Sequence, residues 1–68
     1  MENDLKVWRA KADVTQAELA KELDVARQTI NAIERGRYDP SLELAFKLAR
    51  YFDCSIEEIF TYEPDDGT

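Results

Sequence analysis

The sequence predicts an all-α fold, a compact set of five short helices, and three observations carry that prediction. Apolar residues recur three and four apart almost throughout, while strict alternation of apolar and polar residues is nearly absent, so the helical period prevails over the strand period. Helix-start signals stand at Thr15-Gln16-Ala17-Glu18, at Ser41 and at Ser55-Ile56-Glu57-Glu58, where a hydroxyl can accept from a backbone N–H three residues on. The chain of 68 residues is 44% hydrophobic and holds three Phe, three Tyr and one Trp. That is enough for one globular core and for no more than one domain.

Taken in order, a first helix is expected over roughly 3–12, with Asn3 as N-cap and Leu5, Trp8 and Ala12 on one face; Asp13 ends it. The second opens at the Thr15–Glu18 capping box and buries Leu19, Ala20 and Leu23. Only Asp24-Val25-Ala26 separates it from a third, roughly 27–35, with Ile30 and Ile33 inward and Gly36 as terminator. Two short helices so briefly linked must cross steeply. After Arg35-Gly36-Arg37-Tyr38-Asp39-Pro40, Ser41 caps a fourth helix over about 42–52, with Leu42, Leu44, Ala45, Leu48, Ala49 and Phe52. It is the most apolar and is expected at the centre. Asp53-Cys54 makes a turn, and a short fifth helix follows with Ile56, Ile59 and Phe60. The domain is thus placed at 1–61, and 62–68 is expected to be an acidic flexible tail, because Pro64-Asp65-Asp66-Gly67-Thr68 has no periodicity.

Composition narrows the function classes. With no His and one Cys, the chain offers no zinc cluster, no disulfide framework and no imidazole catalysis, so neither a metal nor another cofactor is expected and an enzyme is not the reading. Cys54 reads as a small buried hydrophobe. No apolar run approaches a membrane span and the start Met1-Glu2-Asn3-Asp4 is unlike a signal peptide, so no membrane partner is expected and the localisation expected is cytoplasmic. The net charge is −6, yet it is unevenly placed. Residues 1–38 balance seven basic side chains against seven acidic ones, whereas residues 39–68 set Lys47 and Arg50 against eight acids. Within 25–38 there are three Arg and one Glu, so a local basic surface survives in an acidic protein.

The span from Gln16 to Arg35 has the form of a helix-turn-helix unit. Ala20 is small where the next helix must pack closely, and Leu19, Leu23, Val25, Ile30 and Ile33 fill the angle between the two. What remains outward on the third helix is Arg27, Gln28, Asn31 and Ala32, with Thr29 at one edge. Arg suits guanine O6/N7, Gln and Asn suit adenine N6/N7, and Ala can touch a thymine methyl. No Asp or Glu lies between Val25 and Ile33 to repel phosphate.

With its flanking helices the chain from about Leu5 to Phe60 resembles the lambda-repressor/Cro-type helix-turn-helix family, also called the XRE family. The resemblance rests on Val14-Thr15-Gln16-Ala17-Glu18-Leu19-Ala20, on Arg27-Gln28-Thr29-Ile30-Asn31-Ala32-Ile33-Glu34-Arg35-Gly36 and on Pro40-Ser41-Leu42-Glu43-Leu44-Ala45. It implies a compact five-helix lambda-repressor-like domain, a double-stranded DNA partner and a role as a sequence-specific transcriptional regulator or repressor. It further implies base reading by Arg27, Gln28, Asn31 and Ala32, and phosphate contacts from Gln16, Thr29, Arg35 and Arg37. Gln16 would also brace Arg27, and Arg9 would pair with Glu34. The chain departs from the family by carrying Asp13, Asp24 and Asp53 at turns that usually hold Gly, and Ala26 where Ser or Thr usually caps. Left-handed angles at each Asp would cost on the order of 1 kcal/mol against Gly.

A compact reader touches few base pairs, so a homodimer on a palindrome is expected, with Ile56, Ile59, Phe60 and Tyr62 as its interface. No small-molecule effector is evident. The alternative is a protein-interaction module, such as an antitoxin or anti-repressor component, that binds through the fourth and fifth helices and the acidic tail.

Overall fold

A computed structural model of the protein describes residues 1–62. Five helices run α1 Leu5–Ala12, α2 Gln16–Leu23, α3 Arg27–Glu34, α4 Leu42–Tyr51 and α5 Ile56–Ile59. Two residues at each end of this span, β1 Glu2–Asn3 and β2 Phe60–Thr61, form a small antiparallel sheet in which Glu2 faces Thr61 and Asn3 faces Phe60.

The five expected helices are present, and the small sheet shifts the bounds of the first and the last of them. The first helix begins at Leu5 rather than near residue 3, because residues 2 and 3 are extended and paired. Asn3 is therefore not the N-cap residue, although its Oδ1 accepts from the Leu5 N–H at 3.1 Å. Its Nδ2 donates to the Ile33 carbonyl at 2.8 Å, tying β1 to the end of α3. Phe60 likewise leaves the fifth helix for β2.

Helix starts follow the capping chemistry. Thr15 Oγ1 accepts from the Glu18 N–H at 3.0 Å while Glu18 accepts from the Thr15 N–H at 2.8 Å. Ser41 Oγ accepts from the Leu44 N–H at 3.1 Å, and Glu58 accepts from the Ser55 N–H at 2.9 Å. Ala26 leaves α3 without a side-chain cap.

Helix ends share one device. Asp13 and Asp24 directly follow α1 and α2, Asp53 and Gly36 stand two residues past the ends of α4 and α3, and all four are left-handed, with φ of 58°, 58°, 56° and 74°. Behind each, a 6→1 hydrogen bond closes the end: Val14 to Arg9, Val25 to Ala20, Arg37 to Ala32 and Cys54 to Ala49, each N–H donating to the named carbonyl at 2.9 to 3.2 Å. Three aspartates thus hold the conformation that suits glycine best, and Val14, Val25 and Cys54, next in the chain, pack against the core.

The core itself joins all five helices through Leu5, Leu19, Ile30, Ile33, Leu48 and Ile59, each less than 2% exposed. Leu44, Ala45 and Ala49 place the inward face of α4 in the same cluster. Leu42 is the exception to the expected apolar face, standing 70% exposed at the start of α4. Trp8 and Phe52 are half-buried with ring centroids 6.1 Å apart, and the Trp8 indole donates to the Glu58 carbonyl at 3.1 Å.

Candidate nucleic-acid interface

Helix α3 turns Ile30 and Ile33 into the core, and at 100° per residue the opposite side of the helix centres on Gln28, flanked by Asn31 and Ala32. Arg27 and Gln28 are exposed; Asn31, Ala32 and Thr29 are half-buried. Arg27 and Thr29 stand at the two margins of this face. Among the described residues, Arg27, Arg35 and Arg37 form no ion pair, so their charges are free to meet an external anion. Arg35 and Arg37 are exposed on either side of Gly36, where the chain leaves the helix through a 2.9 Å bond from the Gly36 N–H to the Ile33 carbonyl.

The orientation of α3 is fixed from behind by Glu34. Arg9 donates through Nε to Glu34 Oε2 at 2.7 Å and through Nη2 to Oε1 at 3.3 Å, and its third bond goes to the Val14 carbonyl at 3.0 Å. The two side chains are 17% and 6% exposed, so this is a largely desolvated, bidentate pair rather than a surface one. The hydrogen bond it donates to Glu34 holds the Arg9 guanidinium above its usual pKa, against the opposing pull of burial. Gln16 joins them: its Nε2 donates to Glu34 Oε1 at 3.0 Å. Gln16 therefore braces Glu34, not Arg27 as the sequence suggested. The physical reason is reach: Glu34 ends α3 beside α1, and its two oxygens accept from both neighbouring helices.

Of the four residues expected at a dimer interface, Ile59 and Phe60 are 1% and 7% exposed and belong to the protomer core. Ile56 is half-buried against that core, and Tyr62 is 75% exposed. The sequence put Phe60 on a helix surface because the spacing Ile56, Ile59, Phe60 continues a helical period, whereas the strand turns it inward. What sequence reasoning missed on the surface is Phe46, 52% exposed one helical turn after Leu42. The tail residues 63–68 lie outside the described residues. Cys54 is half-buried, and burial pushes its thiol pKa up, with Glu58 and Asp53 adding to the shift.

This arrangement of α2, α3 and a braced Glu34 defines a helix-turn-helix domain, and comparison with known proteins agrees. A helix-turn-helix family profile matches residues 5–59, and the chain belongs to that family, of the lambda-repressor/Cro or XRE type. The chain is 59% identical over 66 residues to an uncharacterized HTH-type transcriptional regulator of Methanocaldococcus jannaschii, covering 97% of this chain and all of the relative. It is 47% identical over 66 residues to an HTH-type transcriptional regulator of Archaeoglobus fulgidus, covering 97% of this chain and 93% of that one. Among solved structures, the SOS-response transcriptional repressor LexA from Eubacterium rectale superposes with a TM-score of 0.75 at 29% identity, over 94% of this chain and 77% of that chain.

Proposed function

We propose that this protein is a sequence-specific, double-stranded DNA-binding transcriptional regulator that inserts α3 into the major groove and acts as a two-fold dimer on a palindromic operator. The observation that carries the reading is the outward face of α3. Gln28, Asn31 and Ala32, with Arg27 at the margin, present donors, acceptors and a methyl group that match base edges, and no acid interrupts them. Thr29, Arg35 and Arg37 border that face and suit the phosphates on either side of the groove, and Gln16, the first residue of α2, would reach a further phosphate with the Nε2 hydrogen that its bond to Glu34 leaves free. The Glu34 network supports the reading, since a recognition helix discriminates bases only if its position is fixed. The reading needs no cofactor or effector and places the protein in the cytoplasm with the DNA. Among the described residues no helix is long and apolar enough to cross a membrane.

Random-library DNA selection with the purified protein is the test. An enriched palindrome supports the reading. A library that stays unenriched overturns it in favour of a protein-binding module using α4 and α5, which the exposed Leu42 and Phe46 would then serve.

A further inference from the structure

Large apolar side chains exposed on neighbouring turns of one helix need an explanation in a protein this small, and α4 carries such a pair. Leu42 is 70% exposed and Phe46 is 52% exposed, at positions i and i+4, while Leu44, Ala45, Leu48 and Ala49 occupy the buried side of the same helix. The next position of that outer row is Arg50, and beside it run Glu43 and Lys47. The row therefore reads apolar, aromatic, basic from its N-terminal to its C-terminal end, with an acid near the start.

We propose that this outer row of α4 is the surface on which a second copy of the chain docks, in an antiparallel, two-fold arrangement with the axis near Phe46. Charge decides the occupant. A two-fold contact is self-complementary, each residue meeting its counterpart's neighbour twice. With the two α4 helices antiparallel, Phe46 meets its own copy, and Leu42 lies on the aliphatic stem of Arg50 of the partner subunit. Glu43 then faces that same guanidinium. A parallel arrangement would instead set Glu43 against Glu43 and Arg50 against Arg50. Arg50 has no ion-pair partner among the described residues, and Glu43 is held only loosely, 3.7 Å from Lys47 with 80% of its side chain exposed.

Two further observations fit a second copy. Tyr62, 75% exposed, lines one surface depression with Met1, Glu2, Thr61 and Asp39, of which Asp39 stands three residues before α4, so this depression joins the approach to α4 to β2. The groove between α3 and α4, lined by Thr29, Ser41, Glu43 and Lys47, lies on the other flank of the row. Docking on Leu42 and Phe46 thus leaves the face of α3 uncovered. The row alone is small against the roughly 800 Å² per partner of a stable interface, so the dimer is expected to be weak in free solution and completed on DNA. The proposal deepens the dimeric reading above, and it moves the contact from Ile59 and Phe60 to Leu42 and Phe46.

Sedimentation analysis of the protein without DNA, over a range up to about millimolar, separates this from the DNA-reading claim, with weak self-association expected by the interface size. Wild type should show a concentration-dependent dimer. Phe46→Asp should weaken it by about 30-fold or more, the usual loss for an aromatic at the centre of an interface, with unchanged helical circular dichroism. Glu43→Arg and Arg50→Glu should each weaken it, and the double exchange should restore it. A wild type that stays monomeric throughout, or a Phe46→Asp variant that dimerises like wild type, overturns the proposal. So does a charge exchange without rescue. None of these results bears on whether α3 reads DNA, because the sedimentation measurement contains no DNA.

Discussion

Glu34 accepts from Arg9 on α1 and from Gln16 on α2, and 6% of its side chain is exposed, so a single carboxylate fixes α3 against two helices. Breaking such a pair from one side strands a buried charge. Arg9→Ala should therefore destabilise the domain by about 3–5 kcal/mol, read in a denaturant titration, and exchanging both residues for apolar ones of similar size should cost less. The sign of the pH dependence follows from the raised Arg9 pKa. Its stabilisation is complete below the unfolded guanidinium pKa and is lost only as pH rises through the still higher folded one, so it should be constant across neutral pH. The Arg9–Glu34 contact could be inferred from a family pattern, but the role of Gln16 could not. Which amide reaches which carboxylate depends on the crossing of α2 and α3, and no local spacing encodes that angle.

At the scale of elements, caps and periodicities left clear marks in the sequence. Thr15 with Glu18, Ser41, and the left-handed turns at Asp13, Asp24, Asp53 and Gly36 are local chemistry, and the observed helix ends follow them. The sheet was not legible, because two-residue strands have no period and Asn3 finds Phe60 only once the five helices have brought the chain ends together. Leu42 misled for a geometric reason: two residues before Leu44 it lies about 160° around α4 from it, so being apolar and helical did not make it core. The Asp turns give a sharp prediction. Asp24→Gly removes left-handed strain and a negative charge from the C-terminus of α2, and should stabilise by about 1 kcal/mol, roughly 4–8 °C in melting midpoint for a domain of this size. An unchanged or lower midpoint in a thermal melt would mean that the Asp24 carboxylate contributes more than its strain costs.

For the whole molecule, charge is partitioned rather than summed. The net −6 sits in residues 39–68, while residues 1–38 are balanced and present Arg27, Arg35 and Arg37 around α3. In the proposed reading, an acidic body would keep weak, indiscriminate attraction to DNA low, and the three arginines would supply it where the groove is met. Arg37→Ala should therefore weaken binding to every sequence alike and lower the salt slope by roughly one counterion, measured as affinity against salt concentration. Base reading by α3 is the central claim, and the affinity of Gln28→Ala for the selected palindrome against a scrambled duplex tests it most directly. The account predicts a loss of about 1–3 kcal/mol on the palindrome with little change on the scrambled DNA; an equal loss on both would contradict it.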